Sequence, residues 1–194
     1  MDMAILQGIH ATCSSPIMDT LMPVVTMMGE NGFIWLVIAI VLLINRRTRQ
    51  WGFVMIAALI VDLVCVQVLK SLVARPRPFM ADPSIQLLID PPDGGSFPSG
   101  HTSASFCAAV VLMFAPVKKV WKVLGIVLAS LIAFSRLYLE VHYPTDVLGG
   151  LLIGVAVAVV VCLVYRHWSA RHAGLPGKGM LSGGRKASRG KHAR

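Results

Sequence analysis

Charge is scarce in this chain and unevenly signed. Only 14% of the 194 residues are charged against 56% hydrophobic, and the mean hydropathy of +0.72 excludes an ordinary soluble domain. No Lys or Arg precedes Arg46, so the basic region of a secretory signal is missing and no cleaved leader is expected. Cysteine is sparse and scattered. Cys13, Cys65, Cys107 and Cys162 show no CxxC spacing, which excludes a redox or zinc-ribbon motif and argues against a disulfide framework. There is no HExxH cluster, and no long polar linker interrupts the apolar segments before the C-terminal tail. The expectation is one all-α domain, a polytopic membrane helical bundle.

What is present divides into apolar runs and polar connections. Residues 3–28 are broken by His10, Ser14, Ser15, Pro16 and Asp19, and read as one or two interfacial helices, with a bent extra span as the alternative. Five spans follow: one beginning near Asn31 and ending at Asn45, then Trp51–Leu69, Ser99–Phe114, Val120–Phe134 and Val147–Tyr165; a sixth is possible if the N-terminal segment also crosses. Lys118, Lys119 and Lys122 can snorkel and lengthen the fourth. The expected division is therefore an N-terminal interfacial segment at 1–30, a membrane domain at 31–165, and a basic, disordered tail at 166–194.

The net charge of +9 raises the question of nucleic acid, and the positions of the charges answer it. Fourteen of the 18 basic residues lie in the loop with Arg46, Arg47 and Arg49, the loop with Lys118, Lys119 and Lys122, and the tail from Arg166 onward; none of the nine acids does. Alternating spans put these three segments on one face, cytoplasmic by the positive-inside rule, so the loops 70–98 and 135–146 face outward. The tail reads as an orientation signal in contact with anionic membrane lipids, and no nucleic-acid partner is expected.

The four remaining cations, Lys70, Arg75, Arg77 and Arg136, all fall on the outward side. Outward anchors are not what the orientation rule favours, so their concentration argues for an anion site. Arg offers a planar fork and Lys a point charge, a mixture suited to a phosphoryl group. The stretch Phe97-Pro98-Ser99-Gly100-His101 opens directly into an apolar run. It fits an anion cradle at a helix start, although taken alone such a stretch is more often an ordinary helix cap. Farther on, His142 stands four residues before Asp146, with Arg136 nearby and Pro144 marking a helix start. A carboxylate on one imidazole nitrogen fixes the tautomer and makes the other a better nucleophile or base. Convergence of His101, His142 and Asp146 on zinc is disfavoured, because the surrounding cations would oppose a metal dication. Asp62, inside a span, could pair with a polar partner such as Gln67 and is left outside the site, while Glu140 is expected to point elsewhere.

Lys70-(six residues)-Arg77-Pro78, then Pro98-Ser99-Gly100-His101, then Ser135-Arg136-(five residues)-His142-(three residues)-Asp146 resemble, in order, the three signature motifs of the type 2 phosphatidic acid phosphatase superfamily, which includes lipid phosphate phosphatases and vanadium haloperoxidases. The resemblance covers about residues 51–165. The short N-terminal part, with Ile9-His10 and then Met18-Asp19 before Gly29, resembles, more softly, small bacterial members that act on undecaprenyl pyrophosphate. The resemblance implies that Lys70, Arg77, Ser99, Gly100 and Arg136 bind phosphate. It also implies that His142, oriented by Asp146, is the nucleophile, that His101 is the general acid and then base, and that no metal or other cofactor is needed. Arg75 falls outside the motifs as a supporting contact. The implied substrate is a lipid phosphate or pyrophosphate at the outer face of the cytoplasmic membrane, undecaprenyl pyrophosphate first, with phosphatidylglycerophosphate and phosphatidate as alternatives. A non-catalytic transporter or scaffold is the reading from a different class, and the hydropathy disfavours a haloperoxidase.

Overall fold

A computed structural model describes residues 1–173. The described chain is helical without strands: α1 (Asp2–Cys13), α2 (Pro16–Met28), a 3-10 turn (Glu30–Gly32), α3 (Phe33–Ile44), α4 (Arg49–Val73), the short α5 (Pro78–Ala81), α6 (Gly100–Phe114), α7 (Lys119–Tyr138) and α8 (Pro144–Ala173). Helices α4, α7 and α8 are each long and apolar enough to cross a membrane. The expected span from Asn31 is part of a bent pair in which α2 and α3 meet at 47°, and the two together have the length and hydropathy of one more span. The helix at 100–114 has fifteen residues. At 1.5 Å per residue it is about 22 Å long, short of the ~30 Å of a bilayer's hydrocarbon core.

Local chemistry fixes the boundaries. Pro16 occupies the first turn of α2, and the Ser15 hydroxyl accepts from the Met18 N–H at 3.3 Å. The break between α2 and α3 needs two successive left-handed residues, Asn31 at φ 48° and Gly32 at φ 71°. Asn and Gly are the residue types that adopt this conformation most cheaply. Glu140, at φ 53°, turns the chain between α7 and α8. The Phe97–Pro98 peptide bond is cis.

Helix α6 lies at the centre, packed against α4, α7 and α8. Its buried face is made of small residues, including Ser103, Ser105, Cys107, Ala108 and Ala109. Across from it, α8 presents Gly150 and Gly154, a small-xxx-small pair that lets two backbones touch. A Cβ on Gly150 would come to 2.5 Å from the Ser99 carbonyl oxygen, and one on Gly154 would run into the carbonyl of Ser103. Around this centre, Trp35, Met55, Ala58, Ile132, Ala158 and Cys162 form the apolar core. Its polar members are paired. The Trp35 indole N–H donates to Ser105 Oγ at 2.9 Å, and the Ser103 hydroxyl donates to Asp62 Oδ1 at 2.5 Å. Asp62 thus pairs with Ser103 on α6 and not with Gln67. Outward, α3, α4, α7 and α8 expose Ile40, Phe53, Val64, Leu131 and Leu152, the apolar belt of a lipid-facing bundle.

The N-terminal segment, expected as one or two interfacial helices, forms two, and each packs against the bundle. Leu6 of α1 and Met22 of α2 are buried, and the two helices lie against α7. At the other end α8 continues through Ala173, so the first eight residues of the stretch expected as tail are helical. The expectation of disorder from residue 174 onward lies outside the described residues.

Candidate active site

One end of the bundle collects the chemistry. Lys70 sits in the last turn of α4, Gly100 and His101 in the first turn of α6, Arg136 in the last turn of α7, and Asp146 in the first turn of α8. His142 precedes α8 by two residues, and Arg77 follows the left-handed Ala74 that ends α4. Six of these, Lys70, Arg77, Gly100, His101, Arg136 and His142, line a single cavity of about 1030 Å³. The same cavity extends between the α2–α3 elbow and the α4–α6 pair, where Leu36, Ile56, Leu59, Ile60, Leu63 and Val66 form its wall.

The imidazole of His142 is buried, at 1% exposure, and its two nitrogens have distinct neighbours. Nε2 lies 3.4 Å from Arg77 Nη1. A guanidinium has only donors, so Nε2 must present its lone pair. The proton then belongs on Nδ1, which faces Asp146 Oδ2 at 3.6 Å. Burial drives the His142 pKa down to about 3; Asp146 opposes this, while the positive charges of Arg136 and Arg77 push the same way. A neutral imidazole with an unprotonated Nε2 at a cationic cavity is the form a nucleophile requires.

Asp146 is held more firmly than the sequence suggests. Its Oδ2 accepts from Ser96 Oγ at 2.5 Å and from the Tyr143 N–H at 2.9 Å, and its Oδ1 accepts from Arg75 Nη1 at 2.7 Å. Arg75 also donates to Thr145 Oγ1 at 2.7 Å and to Asp2 Oδ2 at 2.8 Å, and stacks over the Tyr143 ring at 4.0 Å. The hydrogen bond from Arg75 lowers the pKa of Asp2, with Thr145 adding to the effect. The residue expected as a supporting contact therefore ties the first helix to the carboxylate behind His142.

The cations are positioned in different ways. Arg77 is anchored by the carbonyls of Asp93 (2.8 Å), Gly94 (3.1 Å) and Val141 (3.0 Å). Arg136, 2% exposed, donates from Nη1 to Thr26 Oγ1 of α2 at 2.6 Å, and its Nε is buried with no partner. The Arg136 side chain, a lining residue of the cavity beside Lys70 and Arg77, thus keeps a donor that no protein acceptor takes up. Ser99 is fully buried, its hydroxyl accepts from the Thr102 N–H (3.5 Å) and hydroxyl (3.0 Å), and it is not among the cavity-lining residues. The structure thus gives Ser99 a capping position and leaves the cavity wall to Gly100. Glu140 turns to His10, 3.6 Å away, and burial raises its pKa. Among the described residues no group of three His, Cys, Asp or Glu could hold a metal ion. Thr26 and Ser96 stand out from no motif in the sequence; each comes from a segment remote in sequence from the residue it hydrogen-bonds.

A helical bundle with membrane-spanning segments and two histidines among three cations at one end of an apolar cavity defines an integral membrane protein with a candidate anion site. The chain belongs to the PAP2 superfamily, whose family model matches residues 51–170. It is 36% identical over 122 residues to an undecaprenyl-diphosphatase of Sulfolobus acidocaldarius, a match covering 63% of this chain and 59% of that relative's length. It is 34% identical over 135 residues to a decaprenylphosphoryl-5-phosphoribose phosphatase of Mycobacterium tuberculosis, covering 69% of this chain and 72% of the relative. Among solved structures, a transmembrane PAP2-type phosphatidylglycerolphosphate phosphatase from Bacillus subtilis superposes with a TM-score of 0.72 at 28% identity, over 86% of this chain and 85% of that one.

Proposed function

We propose that this protein is a lipid diphosphatase that cleaves undecaprenyl pyrophosphate to undecaprenyl phosphate and phosphate, at the outer face of the cytoplasmic membrane and through a phosphohistidine at His142. The observation that carries this reading is the single cavity that joins Lys70, Arg77, Arg136 and both histidines to an apolar wall. A long-chain phosphate can occupy both halves at once, headgroup among the cations and chain along α3, α4 and α6. The two curated relatives described above carry polyprenyl substrates in their names, which favours an isoprenoid chain.

In the first step His142 Nε2 forms a bond to the terminal phosphorus while the bridging P–O bond breaks. The leaving oxygen takes a proton from His101. Lys70, Arg77 and Arg136 hold the three peripheral oxygens, whose charge dominates the barrier of phosphoryl transfer. In the second step water gives a proton to His101 and attacks phosphorus, and the N–P bond breaks to restore His142. Asp146 steadies the imidazole throughout. The outward placement rests on charge: the loops at the opposite end of the bundle carry Arg46, Arg47, Arg49, Lys118, Lys119 and Lys122.

A second reading, phosphatidylglycerophosphate hydrolysis, is favoured by the superposition on the Bacillus subtilis phosphatase. Purified protein in detergent with chelator should release phosphate from undecaprenyl pyrophosphate faster than from phosphatidylglycerophosphate or phosphatidate. His142→Ala should lose at least ~10³-fold on the preferred lipid. Activity confined to phosphatidylglycerophosphate selects the second reading. A reporter fused after Tyr165 that signals an extracytoplasmic position would overturn the orientation.

A further inference from the structure

His101 has a carboxylate of its own. The α2–α3 elbow, with Asn31 and Gly32 both left-handed, brings Glu30 Oε2 to 3.4 Å from His101 Nε2. That nitrogen is buried and has no hydrogen-bond partner. The approach depends on Gly29, because a Cβ there would lie 3.0 Å from His101 Cδ2 and 2.8 Å from Ile132 Cγ2. Glu30 also lines the cavity that holds the cations and both histidines.

The charges around His101 make this arrangement meaningful. Facing it are Lys70 from α4, Arg77 from the following loop, Arg136 from α7 and His142 from the turn before α8. A general acid must carry its proton as imidazolium, and two arginines and a lysine oppose a further positive charge beside them. A carboxylate at one ring nitrogen offsets that repulsion, fixes the ring's orientation and leaves the other nitrogen for the leaving oxygen. Asp146 does the equivalent for His142.

We propose that Glu30 is a positioning residue for His101, so that the site contains two carboxylate–histidine pairs, one for the nucleophile and one for the acid. This rests on the phosphatase reading above. Glu30 makes no bond to phosphorus. It holds His101 while the P–O bond breaks and His101 passes its proton to the leaving oxygen, and again while His101 takes a proton from the attacking water. The Glu30 side chain is 62% exposed, so Glu30→Gln leaves no buried cavity and should fold.

The test is a double-mutant cycle read with farnesyl pyrophosphate in detergent. Glu30→Gln should lower kcat/KM about tenfold in the wild-type background and less than about twofold in His101→Ala, because a residue acting through His101 has nothing left to act on. The basic limb of the pH–kcat/KM profile should move about one unit toward acid in Glu30→Gln, since the imidazolium loses its counter-charge, and Glu30→Asp should recover part of that shift. Equal losses in both backgrounds, or a lower plateau with an unmoved basic limb, would reduce Glu30 to a structural role and overturn the inference. A wild-type protein inert toward farnesyl pyrophosphate and toward the lipid substrates above would instead remove the phosphatase reading, and the inference with it.

Discussion

The contact between α6 and α8 sets the distance between the two halves of the site, and Gly154→Ala tests it with one added carbon. The new Cβ would overlap the Ser103 carbonyl, lying 2.9 Å from its carbon and 3.0 Å from the Cys107 nitrogen, all backbone atoms that cannot rotate away. Ordinary contact at 3.4 to 4 Å requires α6 to retreat by about 1 Å. Helix α6 carries Gly100 and His101, whereas α8 carries Asp146 and follows His142 directly. The retreat therefore opens the gap between His101 and His142, the proposed acid and nucleophile, and a misplacement of ~1 Å costs on the order of 10² in rate. The overpacking itself should cost about 1–3 kcal/mol of stability. Phosphate release and thermal unfolding, measured on the same detergent preparation, read both effects. Gly8→Ala is the matched control, because nothing lies within 4 Å of a Cβ there and Ala is the better helix former by up to ~1 kcal/mol. A Gly154→Ala protein with wild-type turnover and wild-type melting temperature would refute the claim that this crossing fixes the site.

Two further outcomes follow from the site. His142 is held neutral when folded, with a pKa of about 3, and regains a value near 6.5 when unfolded. Between those values the unfolded chain binds the extra proton, so this group's contribution to stability is complete above pH ~6.5 and falls by up to about 1.4 kcal/mol per unit as the pH drops toward 3. Chemical denaturation of wild type and His142→Asn across pH 4 to 7 should show the shallower slope in the variant; parallel slopes would show that burial does not depress this histidine. Thr26→Val removes the acceptor 2.6 Å from Arg136 Nη1, leaving a buried guanidinium with one partner fewer. Substrate KM should rise about three- to tenfold, as for the loss of one charge-assisted hydrogen bond, and an unchanged KM would mean that α2 does not position Arg136.

How far the sequence can be read here depends on how each contact is made. Lys70, Arg77, Gly100, His101, Arg136, His142 and Asp146 sit at helix ends, and apolar run length locates helix ends, so their assembly at one end of the bundle is legible. Ser99 shows the limit of residue type, because a serine before a helix serves as cap and as ligand with the same atoms. Thr26, Glu30 and Ser96 leave no trace in spacing. Thr26 meets Arg136 across 110 residues, and Ser96 meets Asp146 across 50. The inward packing of α1 and α2 was illegible for a related reason. Interrupted apolar stretches look alike whether they rest on lipid headgroups or on another helix. Asp62 has a possible partner on its own helix in Gln67 and pairs instead with Ser103, because the small face of α6 brings that hydroxyl within reach.

The cavity that joins cations to an apolar wall also determines how such an enzyme would count its substrate. On the proposed reading, with the chain along α3, α4 and α6, the lipid would arrive sideways from the bilayer and its dephosphorylated product would return there, while inorganic phosphate would depart to water. The two products would then leave in different phases and would not compete for one exit. Turnover would then follow the mole fraction of substrate in the membrane surface, so that dilution with inert lipid at constant bulk concentration slows the reaction. Two-dimensional crowding of the lipid carrier, more than its total amount, becomes the variable to which the site responds.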